Sequence, residues 1–203
     1  MSTEYLVVKV EDSDTTTQLR SVTGKFPMLQ LEDGETCISE PLSIARVLSN
    51  NKFGFYGPDI AQRAQADQWI DIITSKIVPI LDSLVKQVNG ELESDVKSFS
   101  LQLKAFKTEL AIFEKHFKLR NFLVGYSLSL ADVYLIAVLL PAFRLFLEKK
   151  TRLKEFPNLS RYMTLNLQSF HFEEAFGQVQ LCNKSATPPA PKPKEEKPQG
   201  KPE

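Results

Sequence analysis

The chain has 203 residues, of which 42% are hydrophobic and 25% are charged. This is enough for a sizeable core in one domain or in two small subdomains. Basic and acidic residues each total 25, so the formal net charge is zero, which argues against a dominant nucleic-acid role because such proteins usually carry a basic excess. The two cysteines, Cys37 and Cys182, lie far apart without metal-ligand spacing. They favour a reduced, cytosolic protein over a disulfide framework.

Neither a secretory signal nor a membrane span is expected. The N-terminus, "MSTEYLVVKVEDS", lacks a basic region followed by an apolar core. The longest apolar run, "VYLIAVLLPAF" at residues 133–143, is too short to cross a bilayer. We expect this run to form a helix that is buried on all sides.

Residues 1 to about 50 carry short runs rich in β-forming residues. Runs at 5–10 and 26–31 suit strands, "EDGE" suits a turn, and "TCIS" suits a second short strand. The pattern predicts a hairpin over residues 26–39. A helix follows with Pro41 at its first position, where a missing N–H costs nothing.

Residues 59 to about 181 read as helical throughout, because apolar residues recur at steps of three and four. Pro79 interrupts the first long helix and frees the carbonyl of Ser75, so we expect a kink there. The first stripe comprises Trp69, Ile73, Ile77, Ile80, Leu84 and Val88. The second comprises Phe99, Leu103, Phe106, Leu110, Phe113 and Phe117. Two such amphipathic helices and the apolar helix predict a bundle with a buried central member.

Residues 185–203, "SATPPAPKPKEEKPQGKPE", hold six of the twelve prolines and four lysines, with no aromatic residue and no Val, Ile or Leu. Such a segment cannot bury enough apolar surface to offset its ordering entropy. It is predicted to be a disordered tail or a semi-extended linker.

The most specific motif is "FLVGYSLSLADVYLIAVLL", residues 122–140. Ser129 and Asp132 form S-x-x-D directly before the apolar run, which is the spacing of a capping box. If this helix is central, the Asp132 carboxylate is buried, and it and Ser129 must hydrogen-bond to each other so that neither is left as an unpaired polar group. The alternative is that Asp132 is a catalytic acid, although a cap explains the spacing without a substrate.

Several of these motifs together resemble the glutathione transferase fold. They are the proline-preceded strand "FPMLQL", the acidic helix start "SEPLSIARVL", and the pair "FLVG" and "SLAD" before the central helix. The resemblance covers about residues 5–182. It implies a shortened thioredoxin-like α/β subdomain at 1–50, an all-helical subdomain at 59–184, and the tail at 185–203.

The C-terminal motifs are more particular. "SKIVPILDSL", "FLVGYSLSLAD" and residues 155–184, followed by a Lys/Pro-rich linker, resemble the gamma subunits of eukaryotic translation elongation factor 1. This resemblance implies a non-catalytic docking module of the translation machinery in the cytoplasm. The implied partners are the nucleotide-exchange subunit of the factor or an aminoacyl-tRNA synthetase. A homodimer is a further alternative, because the fold family often dimerises.

The resemblance also implies where a glutathione site would lie. The residue before a cis-proline offers its backbone, which corresponds to Phe26 before Pro27. An acidic residue and a following Ser hold the γ-glutamyl end at a helix start. Glu40 matches the acid, but Pro41 stands where the Ser belongs and supplies neither a hydroxyl nor an amide donor. We therefore regard Phe26, Pro27 and Glu40 as remnants of a glutathione site, and we expect no cofactor and no catalytic residue.

An active glutathione transferase remains the main alternative. Residues 1–25 are too few for the strand, helix and second strand that usually precede the proline. Tyr5 and Ser13 are the stand-ins for the catalytic hydroxyl that the family places there. A third alternative is the glutathione-transferase-like domain of an aminoacyl-tRNA synthetase or of its scaffold.

The remaining candidates favour structural roles. His116 and His171 are isolated and lack ligands at zinc spacing. Cys37 suits a small buried hydrophobe, and Trp69 suits a core anchor. The basic stretch at 144–156 suits a solvated helix end more than an RNA groove, because no exposed aromatics alternate with its basic residues.

Overall fold

The computed structural model describes residues 6–8, 28–31, 36–49, 54–93, 95–168 and 172–189. Within these ranges, three short strands form one antiparallel sheet in the order β1 (Leu6–Val8), β2 (Met28–Gln30) and β3 (Cys37–Ile38). Leu29 pairs with Val7 on one side and with Ile38 on the other. Met28 and Leu29 are both buried, so both faces of the central strand are covered, since successive side chains alternate.

The predicted hairpin is confirmed. β2 and β3 pair antiparallel, and the N–H of Leu31 donates to the carbonyl of Thr36 at 2.9 Å. The predicted turn at 32–35 lies outside the described residues. Helix α1 (Pro41–Leu48) follows, with Glu40 as its N-cap and the proline in its first turn, as predicted.

The other helices come in close succession along the chain. They are α2 (Ile60–Ile72), a π-helical turn (Ile73–Ile77), α3 (Val78–Val88), α4 (Val96–His116), α5 (Leu130–Leu145), α6 (Lys149–Lys154), α7 (Pro157–Gln168) and α8 (Phe172–Phe176). The chain divides into two compact units. The first comprises Met1–Ile70 and Phe122–Tyr134, and the second comprises Asp71–Asn121 and Leu135–Glu203. No helix in the described ranges is long and apolar enough to cross a bilayer.

A π-helical turn (Ile73–Ile77) lies directly before the position at which Pro79 predicts a kink. The N–H of Val78 donates to the carbonyl of Ile73, five residues earlier. Since a π turn takes up an extra residue, one helical period cannot describe both sides of it. Trp69, Ile80 and Val88 are accordingly only half-buried. The buried series is Ala66, Ile70, Ile73, Ile77, Leu81 and Leu84.

Helix α4 carries the predicted apolar stripe and packs against α3 and α7 in the second unit. Its buried members are Phe99, Phe106, Leu110 and Phe113, followed by Phe117 just past the helix end. Leu103 is only half-buried. The ring of Phe117 stacks on that of Tyr162 with centroids 3.8 Å apart, which fixes the end of α4 against α7.

The prediction that the apolar helix is buried on all sides is wrong. In α5, Ala137 is exposed, and Tyr134, Val138 and Pro141 are half-buried. These positions recur at steps of three and four, so they share one side of the helix. An apolar helix has no polar stripe that could reveal in its sequence which side is left uncovered.

The segment after α8, residues 177–189, belongs to the second unit and bonds to α5; we call it the strap. The N–H of Cys182 donates to the carbonyl of Phe143 at 3.0 Å, and that of Ala186 donates to Leu145 at 2.6 Å. The first part of the predicted disordered tail, 185–189, is therefore held by contacts, while 190–203 lies outside the described residues.

The basic stretch at 144–156 is not simply a solvated helix end. The Arg152 side chain is buried, and its Nη1 donates to the carbonyls of Leu147 and Cys182 at 2.7 and 2.8 Å. Carbonyl oxygens with a charged donor make strong hydrogen bonds. Arg152 thus holds the strap against the end of the bundle, a role that its sequence neighbours do not indicate.

Candidate functional site

The only described member of the expected glutathione site is Glu40. Its side chain is exposed, and its backbone is extended, with φ −87° and ψ 121°. It makes no side-chain capping hydrogen bond to α1. The neighbouring Ser39 is buried, and Pro41 contributes neither an N–H nor a hydroxyl. Phe26, Pro27, Tyr5 and Ser13 lie outside the described residues.

The start of α5 shows the opposite arrangement. Asp132 is 0% exposed. One oxygen accepts from the N–H and hydroxyl of Ser129 at 2.9 and 2.6 Å, and the other accepts from the N–H of Leu123 at 2.8 Å. The N–H of Asp132 donates back to the Ser129 hydroxyl at 3.3 Å. The predicted capping box is confirmed, and both oxygens of its buried carboxylate accept hydrogen bonds from residues 123 and 129.

A second polar cluster joins α1 to α2. The carboxylate of Asp67 accepts from Arg46 Nε at 2.9 Å and from the Tyr56 hydroxyl at 2.6 Å. Burial, followed by the hydrogen bond to Asp67, raises the pKa of Tyr56. Burial lowers the pKa of Arg46, but the hydrogen bond and attraction to Asp67 outweigh it and raise that pKa overall. No sequence pattern predicted this cluster, because its members lie up to 21 residues apart and belong to no common motif.

The histidine and cysteine candidates remain separate from these clusters. His116 contacts the Phe117 ring edge-on, and Arg120 Nη1 lies 3.3 Å from its Nδ1. His171 lies outside the described residues. Cys37 is half-buried rather than buried, and burial raises the pKa of the half-buried Cys182 thiol. Within the described part of the chain, no three His, Cys, Asp or Glu side chains lie close enough together to hold a metal ion.

The second unit contains a groove of about 410 Å³ beside α7. Its described lining comprises Thr164, Leu167, Gln168, Gly177, Gln178, Val179, Gln180 and Leu181. None of these side chains is ionisable, so this lining offers no general acid, base or charged anchor. The residues named above thus give a helix start whose acidic side chain makes no capping bond, two hydrogen-bonded carboxylate clusters and a neutral groove.

Comparison with known proteins assigns the family. The profile of the glutathione S-transferase C-terminal domain matches residues 52–166. The chain belongs to the glutathione S-transferase family. Among curated relatives of this family member, elongation factor 1-gamma from Danio rerio is 31% identical over 163 residues, which is 80% of this chain but 36% of the relative. The chain therefore spans about a third of the length of the curated relatives it matches.

Solved structures show the same glutathione transferase fold. The GST-like domain of elongation factor 1-gamma from Saccharomyces cerevisiae aligns with a TM-score of 0.75 at 17% identity, covering 87% of this chain and 83% of that one. Ure2p5 from Phanerochaete chrysosporium, cocrystallised with 1-(S-glutathionyl)-2,4-dinitrobenzene, aligns with a TM-score of 0.68 at 16% identity, covering 81% and 79%. These likenesses confirm the predicted fold class.

Proposed function

We propose that this chain is a non-catalytic protein-docking domain that works in translation elongation, as an elongation factor 1-gamma type of module. The observation that carries this proposal is the start of α1. There, the Glu40 side chain is exposed and makes no capping hydrogen bond to the helix, and Pro41 occupies the position at which a donor would be needed. Similarity to elongation factor 1-gamma over 80% of the chain supports the translation role.

The proposed organisation follows the predicted boundaries. Residues 1–50 form the shortened thioredoxin-like part and 59–184 form the helical part. The rest of the predicted tail, beyond the bound residues 185–189, forms a tether that raises the local concentration of what it links. The proposed partner is the nucleotide-exchange subunit of elongation factor 1, in the cytoplasm. An aminoacyl-tRNA synthetase and a second copy of the chain are the other candidates.

Glutathione binding and turnover test the non-catalytic half of the proposal. We expect the full chain to pass unretained over immobilised glutathione and to leave 1-chloro-2,4-dinitrobenzene unconjugated. Retention and turnover that both disappear in Glu40→Ala would establish an enzyme instead. Pro41→Ser returns one amide and one hydroxyl to the helix start, so we expect this variant to be retarded on the column without gaining turnover.

Direct binding tests the docking half. Purified nucleotide-exchange subunit should co-elute with the full chain in size-exclusion chromatography and give a saturable calorimetric titration. Bovine serum albumin serves as the unrelated-protein control. Binding of an aminoacyl-tRNA synthetase without binding of the exchange subunit would contradict the proposed partner and favour a synthetase-associated domain.

A further inference from the structure

The outward side of α4 carries an apolar stripe that the core does not use. The stripe comprises Leu101, Ala105, Thr108 and Ile112, with Leu119 just past the helix end. Steps of four, three and four place the helical members on one side, opposite the buried phenylalanines. Leu101 is 70% exposed, Ile112 is 42% exposed and Leu119 is 91% exposed. The Thr108 hydroxyl donates to the carbonyl of Lys104 at 3.0 Å, so its hydrogen-bonding need is already met within the helix.

One edge of this stripe is a row of three exposed lysines of α4, Lys97, Lys104 and Lys115, and a fourth exposed lysine, Lys118, follows the helix end. None of the four has a carboxylate within 4.0 Å in the described ranges. The other edge differs, because Glu109 faces Lys76 at 3.9 Å and His116 contacts Arg120. The stripe and the lysine row together form what we call the outer α4 face, a narrow apolar surface with positive charge along one edge.

We infer that the outer α4 face docks an acidic amphipathic helix of a partner protein. This inference rests on the proposed docking function and names the surface and the partner's chemistry. From Leu101 to Ile112 the stripe is about 16 Å long, which matches about three turns of a facing helix. Leucine-type side chains of that helix would cover the stripe, and its carboxylates would face the lysine row.

Other occupants fit this surface less well. The chain's own residues 190–203 contain no Val, Ile, Leu or aromatic residue that could cover the stripe. In a two-fold pairing of antiparallel α4 helices, the lysine rows of the two copies would lie on the same side and repel each other. The stripe presents no aromatic side chain on which RNA bases could stack. Its lysines line a single edge, whereas interfacial helices that bind membranes carry basic residues across a broad polar face.

Fluorescence anisotropy with the full chain tests the inference directly. One probe is a synthetic amphipathic helix of about 18 residues, a length at which isolated helices begin to be stable, with leucines on one side and glutamates elsewhere. The second probe is the purified nucleotide-exchange subunit. A peptide with lysines in place of the glutamates serves as the charge control and should not bind.

Two double variants remove the two halves of the surface. We expect Leu101→Ser with Ile112→Ser, and separately Lys104→Glu with Lys115→Glu, to weaken binding of both probes by roughly tenfold or more. Matched controls alter exposed residues elsewhere, with Leu153→Ser and Leu165→Ser for the apolar pair and Lys149→Glu and Lys150→Glu for the charged pair. The controls should change the dissociation constant less than about twofold. Circular dichroism should show unchanged helix content in every variant.

The possible results separate the two proposals. If the exchange subunit binds wild type and the outer α4 variants equally, this inference is overturned while the proposed function stands. If the exchange subunit does not bind but the acidic peptide binds and loses affinity in both variants, the inference is supported and the proposed partner is contradicted.

The other occupants give distinct results, each of which overturns the inference. Failure of both probes to bind overturns the inference. Binding of single-stranded RNA or of anionic vesicles that weakens in the outer α4 variants, without binding of the peptide, overturns it as well. A homodimer that dissociates in the variants identifies a second copy as the occupant. A rise in peptide affinity when Glu195→Lys and Glu196→Lys are introduced together identifies the chain's own tail.

Discussion

Two helix starts in the first compact unit make opposite use of the same chemistry. Each has an acidic residue in the region where the helix dipole favours negative charge. At α1, Glu40 is exposed and makes no capping bond. At α5, Asp132 is fully buried and accepts three hydrogen bonds. The neighbouring donors, rather than the acid itself, therefore decide whether such a carboxylate holds the fold together or points into solvent.

A third helix start refines this comparison. Helix α7 begins with Pro157 at its first position, as α1 begins with Pro41. At α7, however, Glu114 reaches over from α4 and accepts from the N–H of Leu159 at 2.9 Å and from that of Asn158 at 3.1 Å. A proline therefore removes only the first donor of a helix, and a carboxylate from another element can still use the next two.

The largest expected effect is at the buried start of α5. Asp132→Ala leaves the N–H groups of Leu123 and Ser129 buried without a partner, which should lower the free energy of unfolding by about 3–5 kcal/mol. Urea denaturation followed by circular dichroism measures this loss. Asp132→Asn keeps an acceptor and should lose about half as much. A loss below about 1 kcal/mol in the alanine variant would contradict the structural role.

The next effect is at α7. Glu114→Ala removes the carboxylate that caps two backbone N–H groups and should cost about 2 kcal/mol in the free energy of unfolding. The control is Glu109→Ala, on the same helix, whose carboxylate lies 3.9 Å from Lys76 with both side chains exposed. That surface pair should contribute at most about 0.5 kcal/mol. Equal losses in the two variants would show that Glu114 is not a cap.

A smaller and pH-dependent effect is expected where α1 meets α2. Tyr56→Phe removes the hydrogen bond to Asp67 and should cost about 1 kcal/mol near pH 7. Because the folded-state pKa of Tyr56 is raised, its contribution is fully present below its unfolded value of about 10. The contribution should disappear as the pH rises through the folded value, where the phenolate can no longer donate. Thermal unfolding between pH 7 and 11 should show the two proteins converging at the alkaline end, and a constant gap would refute the assignment.

The smallest effect is at Glu40, the exposed half of the comparison. Glu40→Ala removes no hydrogen bond from α1, so the free energy of unfolding should change by less than about 0.5 kcal/mol. The same urea titration used for Asp132 measures it. A loss above about 1 kcal/mol would mean that the carboxylate has a structural partner at this helix start.

The features predicted correctly from the sequence are local ones. The hairpin over 26–39, Pro41 at the start of α1 and the Ser129–Asp132 box each depend on residues only a few positions apart. The phenylalanine stripe of α4 repeats often enough for its buried side to be recognised. The register before Pro79 was harder to predict because the π turn adds a residue that no periodic pattern anticipates.

The features that were missed depend on distant residues. Asp67 and Arg46 are 21 residues apart, Arg152 and Cys182 are 30 apart, and Glu114 and Asn158 are 44 apart. No spacing rule links such pairs, because the number of residues between them does not determine the distance between them in the folded protein. The exposed side of α5 was not predicted for a related reason. A helix that is apolar all round has the same sequence pattern whether it is fully or only partly covered by other elements.

Sequence alone was enough to place the starts of α1 and α5, the buried stripe of α4 and the family motifs. These follow from backbone donors, proline geometry and apolar periodicity, all of which act within one or two helical turns. The packing of distant elements fixed which carboxylates accept hydrogen bonds, how Arg152 holds the strap, and which apolar side of α4 stays exposed. Such outcomes depend on which elements pack together, and packing joins residues whose positions along the chain are unrelated.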